Sequence, residues 1–131
     1  MGNQVTAVIL VTHGRTGGDL LDTAERILGP LPRIGVLTVE TTQGPAEMEP
    51  RLRLLCESLG GDEGVLFLVD LDGSTPSNLC NRYGHGKSAV VSGLNLPMLF
   101  KLATIDRTLS PRALAVEVAR TGEKSIHVKE V

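Results

Sequence analysis

The chain has 131 residues, enough for one hydrophobic core, and its 41% hydrophobic and 21% charged content is globular rather than disordered. A formal net charge of −2 argues against general nucleic-acid binding, and an aromatic content of 2%, with no Trp, one Tyr and two Phe, argues against base stacking. Cys56 and Cys80 lack CxxC spacing, so neither a disulfide framework nor a zinc site is expected, only two buried thiols.

No apolar run reaches ~18 residues and no charged n-region leads one, so a soluble, cytoplasmic protein is expected. Without linker, repeat or low-complexity stretch, residues 1–131 read as one domain. Residues 6–12 are apolar almost throughout, as in a parallel strand covered on both faces. The run ends at His13, glycines follow, and Asp19 to Leu28 reads as an amphipathic helix stopped by Gly29-Pro30. Residues 34–39 form a second strand. Met48, Leu52, Leu55, Cys56 and Leu59 share a helical face, and Pro50 moves the expected start of the regular helix to near Glu49.

Residues 64–70 are the clearest strand, ending on Asp70. Ser74-Thr75-Pro76 has the pattern of a helix start, with a hydroxyl N-cap and proline at the first helical position, and that helix should end near Tyr83-Gly84. Residues 87–92 make a fourth strand. Asn95-Leu96-Pro97 and Ser110-Pro111 open two further helices, and the alternation of Ile126 and Val128 with polar residues predicts a half-exposed strand over 124–131. The order βαβαβαβααβ gives a doubly wound α/β sheet. In a 2-1-3-4 strand order the first and third strands are neighbours, so His13 and Asp70 would face one crevice beyond the carboxyl ends of the strands.

A neutral imidazole at that edge can attack phosphorus, given an orienting acceptor on its other nitrogen and donors for the phosphoryl oxygens. Asp70 is the candidate orienter, or a cap on the following loop, and Asp72 competes for the role. Gly14, Gly73, Ser74 and Thr75 supply free N–H groups and hydroxyls near His13, though Ser74 and Thr75 alone are a capping motif. Asn95 either braces loops or caps a helix. His85, in a Gly-His-Gly turn, and His127, on the tail, lie apart from His13, and no ligand spacing supports a metal. The stretch from His13 to Gly18 fits neither a Walker A loop nor a dinucleotide fingerprint.

Four pieces occur together in order: Thr12-His13-Gly14, Val65-Leu66-Phe67-Leu68-Val69-Asp70, Gly73-Ser74-Thr75-Pro76-Ser77-Asn78 and Gly93-Leu94-Asn95-Leu96-Pro97-Met98-Leu99. Over residues 5–122 the chain resembles the IIA domain of the mannose-type (mannose/fructose/sorbose) bacterial sugar phosphotransferase system. The resemblance implies that His13 accepts a phosphoryl group from the histidine phosphocarrier protein and passes it to a IIB component, with Asp70 on the other ring nitrogen and Thr75 near the phosphoryl group. It implies an open doubly wound sheet, flavodoxin-like in its 2-1-3-4 order, whose last strand is antiparallel and exchanged within a homodimer. It also implies no metal or nucleotide cofactor, and membrane contact only through a permease complex. Thr12, Arg15 and Asn95 would support the site. Arg15, Asp72 and Ser74 depart from the family pattern, and Arg15 would either help bind phosphate or alter the partner surface.

Two other classes fit parts of the pattern. One is a regulatory module whose docking changes when His13 is phosphorylated, in a phosphotransferase chain without sugar transport. The other is a histidine phosphatase, for which Thr12 stands where an arginine is needed. The dihydroxyacetone kinase phosphoryl-donor subunit has a related fold, but Asn95-Leu96-Pro97 favours the sugar type.

Overall fold

β1 (Ala7–His13) is buried along six of its seven residues because it lies inside the sheet with helices on both faces. In the computed structural model, which describes residues 4–83 and 86–131, β1 is followed by α1 (Thr16–Leu28), β2 (Ile34–Val39) and α2 (Pro45–Ser58). Then come β3 (Val65–Val69), α3 (Thr75–Tyr83), β4 (Ala89–Ser92), α4 (Leu96–Thr104) and α5 (Pro111–Lys124). The sheet order is β2-β1-β3-β4, all parallel, as the alternation of elements leads one to expect.

The pleat sorts the core into two layers. Ala7, Ile9 and Val11 of β1, with Phe67 of β3, pack under Met48, Leu52 and Leu79 of α2 and α3. Val8 and Leu10, with Leu66 and Leu68, pack under Ala24, Leu99, Leu102 and Leu114 of α1, α4 and α5. The winding therefore reverses between β1 and β3, and the crevice for a ligand opens there.

Thr12 continues the α1 side of this alternation and is fully buried. Its hydroxyl accepts the Gly17 N–H at 2.7 Å, which closes the β1–α1 turn from inside. A side chain at Gly17 would put its Cβ 2.8 Å from that oxygen, so the close approach requires glycine. This contact starts α1 at Thr16, three residues before the start the apolar periodicity gives.

Two expectations are corrected. α2 begins at Pro45 and carries Pro50 inside it, because Pro50 and the Ala46 carbonyl that loses its donor both lie on the exposed face. The antiparallel final strand is absent among the described residues: α5 runs to Lys124, and 126–131 form no strand. An alternating pattern needs a neighbouring strand to hydrogen-bond, and β4 pairs only with β3. Ile126 and Val128 are left exposed, and this chain by itself gives no support for subunit exchange. No described helix is long and apolar enough to cross a membrane.

Gly64, at φ +106°, turns the chain into β3 in a conformation that disfavours any side chain, and a Cβ there would overlap the Lys87 carbonyl. Gly64→Ala should therefore lower the unfolding free energy by at least the ~1–3 kcal/mol typical of such strain, read from the urea midpoint. Thr12→Val, which leaves the buried Gly17 N–H without an acceptor, should cost about 1–3 kcal/mol in the same measurement, and Thr12→Ser should restore most of it.

Candidate functional site

Register brings the chemistry together. Val11 pairs with Val69, so the chain ends of β1 and β3 leave the sheet side by side. His13 Nδ1 lies 2.9 Å from Asp70 Oδ2, and the backbone N–H of His13 donates to the same oxygen at 3.0 Å. One carboxylate oxygen thus fixes both the ring and the peptide that carries it. The other, Oδ1, is buried and has no hydrogen-bond partner among the described residues.

With its Nδ1 proton directed at a carboxylate, the imidazole keeps its lone pair on Nε2. The His13 side chain is 36% exposed and that of Asp70 17%, so the ring is reachable from solvent while the acid stays behind it. Gly14 follows in the left-handed region at φ +48°, and its N–H donates to the Val39 carbonyl at 3.0 Å, which ties the turn to β2. The N-terminus of α1 follows directly, and although its Gly17 N–H is taken by Thr12, the positive end of the helix dipole favours an anion nearby.

The β3–α3 loop brings Gly73, Ser74 and Thr75 to the same edge of the sheet, with Thr75 as the first residue of α3. The Ser74 hydroxyl donates to the Leu71 carbonyl at 2.5 Å, which ties it to its own loop, and with α3 starting at Thr75 the proline stands second in the helix rather than first. Asp72 does not compete with Asp70. Its Oδ1 receives the Ser77 hydroxyl at 3.4 Å and the Ser92 hydroxyl at 3.5 Å, linking the loop to α3 and to the end of β4. Nothing in the sequence pattern singled out Ser77 and Ser92, since the signal exists only once β4 lies beside β3.

Asn95 both caps and braces. Its side-chain oxygen accepts the Met98 N–H at 3.3 Å at the start of α4, and its Nδ2 donates to the Gly122 carbonyl of α5 at 3.4 Å. It holds two helices together rather than facing His13. Arg15 is the cap residue of α1, with a side chain 88% exposed and a single ionic contact, 4.0 Å to Asp19.

His127 lies in the exposed tail, and His85 falls outside the described residues. Among the described residues no group of three or more His, Cys, Asp or Glu is placed to hold a metal. Cys56 and Cys80 are free and buried, and burial pushes both thiols up, away from nucleophilic thiolate. Burial, reinforced by a hydrogen bond with Cys56, pushes the Tyr83 hydroxyl up to about 12. Among the described residues, His13 is a partly exposed imidazole held by a carboxylate.

Comparison with known proteins points the same way. The family model described as PTS system fructose IIA component matches residues 7–118. The mannose-specific EIIAB component of the PTS from Escherichia coli (strain K12) is 33% identical over 132 residues, covering 95% of this chain and 41% of that protein. The chain thus spans about two fifths of the curated relatives it matches. The phosphotransferase system component EIIA from Streptococcus agalactiae has a TM-score of 0.79 at 26% identity, over 94% of this chain and 96% of that one. The mannose/sorbose specific IIA subunit from Enterococcus faecalis shares the fold, with a TM-score of 0.81 at 24% identity over 98% and 97% of the two chains. With a family match over most of its length and a sheet whose β1 and β3 termini meet at His13 and Asp70, the chain belongs to the mannose-type IIA family of the sugar phosphotransferase system.

Proposed function

We propose that this chain is a phosphocarrier that takes a phosphoryl group onto His13 Nε2 from a phosphorylated histidine phosphocarrier protein and hands it to a IIB component. The observation that carries this reading is the 2.9 Å contact between His13 Nδ1 and Asp70 Oδ2. In the accepting step the Nε2 lone pair forms a bond to phosphorus. The P–N bond of the donor breaks, and its electron pair returns to the donor ring. The Nδ1 proton stays on His13, so positive charge develops on a ring already facing a carboxylate. Handing the group on is the same displacement in reverse, with the acceptor's nucleophile attacking phosphorus.

Such a transfer needs positioning and charge stabilisation more than covalent machinery. Asp70 orients the ring. The Gly73 backbone and the Thr75 hydroxyl lie on the loop that would meet the phosphoryl oxygens, whereas the Gly14 N–H is committed to the Val39 carbonyl and the Ser74 hydroxyl to the Leu71 carbonyl, and Thr12 holds the β1–α1 turn from behind. The reading needs no metal or nucleotide. It places the protein in the cytoplasm, next to a membrane only through a permease complex, and as a homodimer.

The test is transfer of labelled phosphate from the phosphorylated carrier protein. His13→Ala should abolish labelling while leaving the unfolding midpoint nearly unchanged, because the ring is partly exposed and buries little apolar surface. Asp70→Ala should remain folded and slow the transfer by about 10²-fold or more, the scale of losing an orienting partner in acid–base and nucleophilic catalysis. Labelling that survives His13→Ala would overturn the proposal.

A further inference from the structure

The charge around the site is lopsided. Four segments follow the strands at the edge where His13 sits: 14–15, 40–44, 70–74 and 93–95. Together they hold three carboxylates, Glu40, Asp70 and Asp72, and one cation, Arg15. A phosphoryl group brings close to two further negative charges. Asp70 faces the ring it orients, whereas the side-chain partners of Asp72 among the described residues are the Ser77 and Ser92 hydroxyls, with no cation.

Arg15 is the cation nearest to His13 in the chain, and its guanidinium is exposed. It stands two residues from His13, across the left-handed turn at Gly14. Its 4.0 Å contact with Asp19 joins side chains that are 88% and 69% exposed, and an exposed pair at that distance holds a guanidinium only weakly. The planar fork of arginine matches two phosphoryl oxygens at once, which a flexible ammonium does less well. Its nearness to the α1 N-terminus adds fixed dipoles of the same sign.

We infer that Arg15 leaves Asp19 and grips the phosphoryl group on His13, supplying the one cation of these four segments. This deepens the phosphocarrier reading and rests on it. Arg15 is then a binding residue for the transferred group, and it offsets the repulsion that Asp72 exerts on an incoming anion.

Phosphoramidate serves as a small donor that needs no protein partner. Nε2 displaces ammonia from phosphorus, and the product is read by ³¹P NMR. With Arg15→Met, the rate of phosphorylation should fall by roughly 3–10-fold and the second ionisation of the bound phosphoryl group should move up by about 0.5–1 pH unit, the modest shift expected of an exposed cation. Arg15→Lys should recover a large part of both, and neither change should alter the circular dichroism. A wild-type rate and titration in Arg15→Met, with the phosphohistidine signal present, would overturn the role of Arg15 and leave the phosphocarrier reading standing. Absence of any phosphohistidine signal in the unsubstituted protein, from this donor and from the carrier protein alike, would remove both.

Discussion

A single carboxylate oxygen organises this molecule's chemistry. Asp70 Oδ2 accepts from the ring of His13 and from its backbone N–H, at 2.9 and 3.0 Å. The contact exists because β1 and β3, though separated by α1, β2 and α2, are adjacent and in parallel register. A right-handed crossover makes such pairs routine in doubly wound sheets. What is particular here is that both strands stop being apolar at the same level, one on an imidazole and the other on an acid.

The surroundings serve to keep that contact rigid. Thr12 sits one residue before His13 and locks the start of α1, while Gly14 one residue after it bonds to the end of β2. Asp72 anchors the other loop to α3 and β4, and the Leu94 N–H reaches back to the Val69 carbonyl at 3.0 Å. The ring is therefore held through Nδ1 and through the backbone on either side of it. Preorganisation of this kind favours phosphoryl transfer, where the reacting groups need placement rather than elaborate proton shuttling.

Much of this was legible in the chain. Continuous apolar runs at 6–12 and 64–70 marked central parallel strands, and their polar ends marked the crevice, because a strand buried on both faces has few other places for a histidine or an acid. The strand order and the His13–Asp70 pairing followed from that reading and are what the structure has. Four features were not legible. The role of Asp72 depends on Ser77 and Ser92, which meet only after β4 docks. The start of α2 was misplaced because Pro50 reads as a breaker unless its exposure is known. The tail alternates like a strand, but alternation states only which side chains could share a face and cannot supply a hydrogen-bonding neighbour. The double duty of Asn95 likewise needed α5 in place, since one of its two partners is the Gly122 carbonyl.

The most direct measurement of the central claim is the protonation of the His13 ring in solution. Long-range ¹H–¹⁵N correlation spectra of protein labelled at histidine nitrogen, taken where the ring is neutral, distinguish the two tautomers. The account predicts a protonated Nδ1 held by Asp70 and a bare Nε2, with phosphorus appearing on Nε2 after reaction. A neutral ring protonated on Nε2, or phosphorus bonded to Nδ1, would contradict it.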